Sequence, residues 1–304
     1  MSFLNLLFDK RQPPISESSR KLYISNLKKL NGGVEPIDFK FLKSIKKVFK
    51  VIEKLKPTTQ RTYFIAICSL LANGNGPKKL YDEYYAVLTQ MNKDLSTNTT
   101  KSERQKENWL SNDEIKNIDV NLSSKVKKVK LSSVTKDDYK NILEYVVFSL
   151  FTKIQPRRNI DYTLMKISSD DADIRFNYLD VKNRKFIFNA YKTQKKYHQV
   201  IVDIPDELWI IIKDYLRFHP SKSQIKNKKH SLFFLVTHDN KNLANSNDIT
   251  KILNSAFGAN VGASLLRNIY LSNKYGDVIN DLKTDTAAMA TSVDMALNNY
   301  IKKT

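Results

Sequence analysis

The chain has 304 residues, of which 41% are hydrophobic and 11% aromatic, so it is long and apolar enough for two folded domains and is not an intrinsically disordered chain. Its formal net charge is +20, and residues 1–100, with 17 basic and 8 acidic side chains, account for +9 of it. This spread excludes a single basic tail and is typical of a protein that grips a polyanion from two sides. The alternative is a lysine-rich protein without such a partner.

The same composition limits the kinds of site and the compartment. A single cysteine, Cys68, excludes an internal disulfide framework and a multi-cysteine zinc site. The three histidines at positions 219, 230 and 238 are expected in loop-like or exposed positions without metal-ligand spacing, and no Walker-type glycine loop occurs, so we expect neither a metal nor a nucleotide cofactor. No apolar stretch approaches the ~20 residues that span a bilayer, and Asp9 follows the short apolar N-terminal run directly, which argues against a signal peptide. We therefore expect an intracellular protein without membrane contact.

The apolar periodicity of the first part of the chain predicts a small basic helical domain. Residues 1–15 are predicted to form an N-terminal tail and residues 16–95 about four short helices. Ser16 or Ser19 is expected to cap the first helix, and Gly32 and Gly33 to end it. A lysine-rich apolar segment over 38–55, a helix from Pro57 and a helix over 80–95 follow. Such a bundle can bind across a DNA groove or serve as an interaction module.

A polar, turn-rich stretch over 96–130 predicts a linker, although SNDEI at 111–115 has the pattern of a capped helix start. A second domain is predicted from 131 to 304, beginning with a buried helix over 142–152 that ends before Pro156. Segments 176–181, 185–191 and 198–205 alternate in the manner of strands and predict a hairpin or three-stranded meander, with a turn over 192–196. Helices are expected at 206–218, at 248–257 and on to the C-terminus. The predicted fold class is mainly α with a small β-sheet.

Arginines and a tyrosine in this second domain suit chemistry on a phosphodiester. Arg267 and Tyr300 lie 33 residues apart, and QPRRNIDY at 155–162 contributes Arg157 and Arg158. Paired guanidinium groups can hold the non-bridging oxygens of a phosphate, and a tyrosine hydroxyl can attack the phosphorus to form a covalent intermediate. The alternative is that these arginines and tyrosines have no common function, since such residues are frequent in any basic protein. The order of the surrounding helices and strands distinguishes the two interpretations.

That order resembles the tyrosine recombinase (integrase) family, of the type found in mobile elements and large DNA viruses, over nearly all of residues 16–304. The helical region is similar to the family's core-binding domain, and the remainder to its mixed α/β catalytic domain. The family's first arginine lies at the end of a buried helix, three residues before an acidic residue. Arg158 and Asp161 match this pattern, with Arg157 as the alternative.

The family's lysine lies in a β-hairpin turn, where Lys192 is the best match and Lys195 and Lys196 are substitutes. Its second arginine ends a His-x-x-Arg motif, in which Arg267 is present and Ser264 replaces the histidine.

The family also has a His or Trp about nine residues before the nucleophile, where this chain has Thr291. Ser264 and Thr291 can hydrogen-bond a phosphate oxygen but cannot exchange protons near neutral pH as imidazole does. His198, on the predicted hairpin, is a conceivable substitute.

The resemblance implies a site-specific DNA recombinase that acts inside the cell, at DNA, and needs no metal or ATP. Arg158 and Arg267 are then expected to stabilise the transition state, Lys192 to act as general acid, and Tyr300 to form a 3′-phosphotyrosyl intermediate. It also implies a homotetramer on two DNA duplexes. A type IB topoisomerase-like strand transferase, which relaxes plasmid without joining two duplexes, is an alternative. A catalytically silent, sequence-specific DNA-binding protein, which binds without cleaving, is another.

Overall fold

A computed structural model describes residues 2–72, 75–96, 100–167, 173–226 and 232–302. The chain forms two compact units, residues 1–100 and 101–304. The predicted fold class is confirmed, since the chain is mainly helical and carries one small sheet. Within the described ranges, no helix combines the length and the apolar character needed to cross a membrane.

The first unit is a helical bundle, and each of the four segments predicted to be helical contains a helix. Ser16 caps the second helix, because its Oγ accepts a hydrogen bond from the Ser19 N–H at 3.2 Å. Gly32 and Gly33 follow the end of that helix with φ values of 69° and 88°, which glycine adopts readily. The helices are α1 (Phe3–Asp9), α2 (Glu17–Leu30), α3 (Ile45–Ile52), α4 (Pro57–Leu71) and α5 (Lys78–Ser96).

Two features of this unit differ from the prediction. The predicted N-terminal tail contains α1, whose Leu4 and Phe8 lie four residues apart on one face and are buried in the core of the bundle. The lysine-rich segment over 38–55 is not one helix, because a 3₁₀ turn at Lys40–Leu42 interrupts it and Ser44 caps α3 separately. The Ser44 Oγ accepts a hydrogen bond from the Lys47 N–H at 3.4 Å, so a local cap begins a new helix within the segment.

The second unit packs helices around a five-stranded sheet. Its strands are β1 (Lys166–Ile167), β2 (Tyr178–Asp180), β3 (Lys185–Phe188), β4 (Val200–Asp203) and β5 (Leu232–Phe233). Its helices are α6 (Glu103–Glu107), α7 (Asn112–Lys127), α8 (Lys136–Thr152), α9 (Asn159–Tyr162), α10 (Gln194–Tyr197), α11 (Asp206–Phe218), α12 (Lys222–Lys226), α13 (Ser246–Phe257), α14 (Ala263–Ala288) and α15 (Val293–Met295).

The strands lie in the order β4-β3-β2-β1-β5, and only the β1–β2 pair is parallel. The three predicted strands correspond to β2, β3 and β4, with Phe188 opposite Val200 in the β3–β4 pair. The predicted turn over 192–196 includes most of the short helix α10. The strands β1 and β5 were not predicted, because a two-residue strand is too short to show an alternating pattern.

Helix α8 is the centre of the second unit's core. Thr135 and Asp138 form a capping box at its start, and the side chains of Val146, Phe148 and Leu150 are completely buried. The predicted linker over 96–130 instead contains α6 and α7. A second capping box, Ser111 with Glu114, begins α7, which packs on α8. The linker prediction was therefore wrong for residues 112–127, because the polar composition of the segment is that of an amphipathic helix of the second unit.

His219 lies in the loop directly after α11, in agreement with the loop-like position expected for it, but its side chain is buried, while His230 lies outside the described residues. Its Nδ1 accepts a hydrogen bond from the Ser221 N–H at 3.0 Å, and its Nε2 lies 3.1 Å from the Phe233 carbonyl oxygen. These partners require a neutral ring that is protonated on Nε2. Burial lowers the pKa of His219 from its ordinary value.

Acid should therefore destabilise the second unit through His219. Below about pH 6.5 the unfolded chain binds a proton that the folded ring resists, so the free energy of unfolding falls by up to about 1.4 kcal/mol per pH unit from this residue. Denaturant unfolding at pH 5.5 and pH 7.5 measures this loss, and His219→Asn should reduce it. The matched control is His238→Asn, since that side chain is 43% exposed. An unchanged pH dependence in His219→Asn would contradict the assignment.

Candidate active site

A surface cleft of about 270 Å³ in the second unit brings together three segments of the chain that are distant in sequence. The segment after α8, the connection between β3 and β4, and the first turns of α14 each supply side chains to it. We call it the arginine cleft. Its lining residues are Pro156, Arg157, Arg158, Asp161, Tyr191, Thr193, Tyr197, Val200 and Arg267.

Arg157 is fixed on the wall of the arginine cleft by a carboxylate and two aromatic rings. Its Nε donates to Asp161 Oδ2 at 2.9 Å, and its Cζ lies 3.8 Å from the ring centroid of Phe188 and 5.2 Å from that of Tyr191. Burial raises the pKa of the Asp161 carboxyl, and the charge of Arg157 opposes that shift. The side chain that pairs with Asp161 is therefore Arg157, although the sequence pattern favoured Arg158 as the functional arginine.

Arg158 is the residue before the first turn of α9, and its side chain is half-buried in the cleft. Among the described residues, no side chain or backbone group hydrogen-bonds its guanidinium group or pairs with it within 4 Å. Among the described residues that line the cleft, Asp161 carries the carboxylate. Its Oδ2 is already bonded to Arg157. Arg158 therefore keeps its hydrogen-bond donors available for a ligand.

Arg267 enters the same cleft from the first turns of α14. Its Nε donates to the Ala263 carbonyl oxygen at 3.3 Å and its Nη2 to Ser264 Oγ at 3.1 Å. Burial lowers the pKa of Arg267, and the nearby charge of Arg158 lowers it further. The Arg267 guanidinium nevertheless stays protonated near neutral pH. Two cations that repel each other in a partly desolvated cleft are stabilised by an anion placed between them.

A buried amide that the sequence reasoning missed joins two walls of this cleft. Asn177 Nδ2 donates to the backbone carbonyls of Asp161 at 2.7 Å and Ala190 at 3.0 Å. Its Oδ1 accepts from the backbone N–H groups of Asn189 and Ala190, both at 2.8 Å. These four bonds tie the arginine-bearing segment to the residues just before Tyr191. Asn177 could have been identified from the sequence, because it is a polar residue directly before an apolar strand.

The predicted lysine lies beside the arginine cleft rather than on its wall. Lys192 is exposed in the turn after β3, between Tyr191 and Thr193, which both line the cleft. Lys195 and Lys196 are exposed on α10. The structure thus brings the predicted lysine segment to the arginines.

His198 does not line the arginine cleft. Its ring is exposed, and its backbone has φ 55° and ψ −147°, a conformation that non-glycine residues seldom adopt. The His198 carbonyl oxygen accepts a hydrogen bond from Tyr191 Oη at 2.8 Å. Its contact with the site is therefore through the backbone.

The last two predicted residues lie away from the arginines. The Thr291 N–H donates a hydrogen bond to the Thr286 carbonyl oxygen. Thr286 is 19 residues after Arg267 in α14, which corresponds to about 28 Å along the helix axis. Tyr300 ends a π-helical turn at Ala296–Tyr300, is 58% exposed and does not line the arginine cleft. Neither Thr291 nor Tyr300 lines the arginine cleft.

Among the residues that the structure describes, no group of three or more His, Cys, Asp or Glu side chains could hold a metal ion. In comparisons with known proteins, the chain matches no family model, no curated protein and no solved structure.

Proposed function

We propose that this protein is a site-specific DNA recombinase of the tyrosine recombinase type. The observation that carries the proposal is the convergence of Arg157, Arg158 and Arg267 at one open cleft, although Arg158 and Arg267 are 109 residues apart in sequence. Only one of these guanidinium groups, that of Arg157, is bonded to a carboxylate within the described residues. The net charge of +20 supports a polyanionic substrate, and double-stranded DNA is the proposed partner.

In the proposed reaction, Arg158 and Arg267 bind the non-bridging oxygens of one phosphodiester. The Tyr300 hydroxyl loses its proton to water as its oxygen attacks the phosphorus, a bond to the tyrosine oxygen forms, and the bond to the 5′ oxygen breaks. The products are a 3′-phosphotyrosyl link and a free 5′ hydroxyl. A 5′ hydroxyl from a partner strand reverses the step, so the number of phosphodiester bonds is unchanged. The arginines stabilise the extra negative charge of the transition state, and such electrostatic stabilisation is usually the largest contribution to catalysis.

Protonation of the leaving 5′ oxygen is assigned to Lys192, because both of its neighbours in sequence line the arginine cleft. Ser264 has a second proposed role. Its oxygen accepts from Arg267, so its hydroxyl hydrogen is available to donate to a phosphate oxygen. The site then needs no imidazole to bind the phosphate.

Tyr300 has to reach the arginine cleft for this chemistry. It lies at the end of the described chain on an exposed turn, so the proposed reaction includes either a rearrangement of the segment after α14 or delivery of Tyr300 by a second copy. The second route agrees with the proposed homotetramer on two duplexes. The first unit, with a net charge of +9 over residues 1–100, is proposed to bind DNA as well.

The experiment is a covalent-trapping assay. Duplex DNA selected by the full-length protein from a random-sequence library is nicked near the site of cleavage, so that the short released strand diffuses away and reversal is prevented. We expect wild-type protein to give a protease-sensitive protein–DNA adduct on a denaturing gel, and to join two duplexes when both are supplied.

The other outcomes separate the alternatives. An adduct with plasmid relaxation but no joining of two duplexes supports a topoisomerase-like enzyme. Sequence-selective binding without any adduct supports a catalytically silent DNA-binding protein. Absence of DNA binding overturns the proposal altogether.

A further inference from the structure

A second cleft, also of about 270 Å³, opens directly beside the arginine cleft and shares Pro156 and Arg267 with it. We call it the Lys274 cleft. Its other walls include Gln155, Tyr270 and Tyr275. Because the two clefts share a wall, a linear ligand that occupies one can continue into the other.

Helix α14 supplies most of the Lys274 cleft. Residues 267, 270 and 274 recur at the spacing of one helix face, and Lys274 is rotated only about 20° from Arg267 around the helix axis. The seven-residue separation corresponds to about 10 Å along that axis. Two cationic groups therefore point to the same side of the molecule, one at each cleft.

The side chains of the Lys274 cleft provide donors and aromatic faces. Lys274 Nζ lies 3.4 Å from Tyr270 Oη and 5.2 Å from the ring centroid of Tyr275. Among the described residues, Lys274 forms no ion pair within 4 Å, and no Asp or Glu lines this cleft. Asp277, the next carboxylate along the helix, is not within ion-pair distance. An ammonium group beside phenol hydroxyls and exposed rings suits a phosphate with a flanking sugar or base.

We propose that the Lys274 cleft binds the backbone phosphate of a nucleotide that neighbours the one in the arginine cleft, on the same DNA strand. The inference rests on the proposed function and specifies how the substrate lies on the site. Nucleotides of one strand rise about 3.4 Å each along the duplex axis, so two phosphates about 10 Å apart are at most about three nucleotides apart. The strand then follows α14 from Arg267 to Lys274.

The test compares Lys274→Gln with Lys283→Gln in DNA binding at several salt concentrations. Both lysines are exposed on α14 and both changes remove one charge, but Lys283 is rotated about 160° from Arg267, onto the opposite face. One phosphate contact contributes about 0.9 to the slope of log affinity against log salt. We expect Lys274→Gln to reduce the slope by about 1 and the affinity about 8-fold at 0.1 M salt, and Lys283→Gln to match wild type.

A second measurement locates the contact. Single phosphates of the selected duplex are replaced by uncharged methylphosphonates, one position at a time. Wild-type protein should lose affinity at a position about one to three nucleotides from the cleaved bond, and Lys274→Gln should be insensitive at that position alone. An unchanged salt slope together with the wild-type pattern of sensitive positions would overturn the inference.

These outcomes also separate the two proposals. If wild-type protein binds DNA and Lys274→Gln changes the slope, but no covalent adduct forms, the phosphate site stands and the recombinase activity fails. If the adduct forms and Lys274→Gln behaves as wild type, only the phosphate site fails. If wild-type protein does not bind the selected DNA, both fail.

Discussion

Tyr300→Phe should abolish the covalent protein–DNA adduct while leaving DNA affinity within about 2-fold of wild type. The change removes the one atom that would form the phosphotyrosyl bond and keeps the ring. Tyr300 is 58% exposed, so loss of its hydroxyl leaves no buried group unpaired and should alter the free energy of unfolding by less than about 0.5 kcal/mol. The measurement is the denaturing-gel adduct, with binding followed by fluorescence anisotropy on the same duplex.

Tyr270 and Tyr275 are competing nucleophiles, as are Tyr191 and Tyr197, because each lines a cleft that Arg267 also lines and Tyr300 does not. Tyr270→Phe and Tyr275→Phe should still give an adduct at saturating protein, and peptide mapping of the wild-type adduct should place the nucleotide on Tyr300. An adduct that persists in Tyr300→Phe and disappears in Tyr275→Phe would move the nucleophile to Tyr275. The position of the modified tyrosine decides the question directly.

The elements with strong periodicity or clear capping residues could be predicted from the sequence. The helix after Pro57, the helix over 206–218 and the strands β2 to β4 have long apolar patterns or alternation, and each is present. The helix α1 was missed because seven residues form too short a pattern, and it is stabilised by burial of Leu4 and Phe8 in the bundle core. The strand β1 depends on pairing with residues far along the chain, which no local pattern encodes.

The sequence predicted the arginines of the candidate site but not which of them pairs with Asp161. The arginines were found because their residue types and the helix that precedes Pro156 can be read locally. Which of two adjacent arginines pairs with Asp161 depends on the direction of the side chains at the start of α9, and only the three-dimensional structure gives it. The Lys274 cleft was not predicted, since it forms where the segment after α8 meets α14.

The adjacent pair Arg157 and Arg158 offers the second large effect, because the structure assigns them different roles. Arg158→Ala should reduce the rate of adduct formation about 10²- to 10³-fold, the cost of removing one donor to a transition-state oxyanion. It should change the free energy of unfolding by less than about 0.5 kcal/mol, since no described residue is bonded to its guanidinium group. Single-turnover cleavage and denaturant unfolding measure the two quantities.

Arg157→Met is the matched variant with the opposite expectation for stability. It leaves the Asp161 carboxylate, whose side chain is 2% exposed, without its partner, and losing one member of a buried ion pair costs about 3–5 kcal/mol. Methionine keeps an apolar contact with Phe188, so the loss reports mainly the missing charge.

The pH dependence of that loss distinguishes charge from packing. Burial already raises the pKa of Asp161, and removing Arg157 removes the main opposing charge, so the pKa of the variant's carboxyl should rise further. A folded-state pKa above the unfolded value means that the folded state binds the proton more tightly, so lowering the pH stabilises the variant relative to wild type. The difference in unfolding free energy between wild type and Arg157→Met should therefore shrink from pH 8 to pH 5. A constant difference would indicate a packing defect, and wild-type stability with lost cleavage would make Arg157 the phosphate ligand.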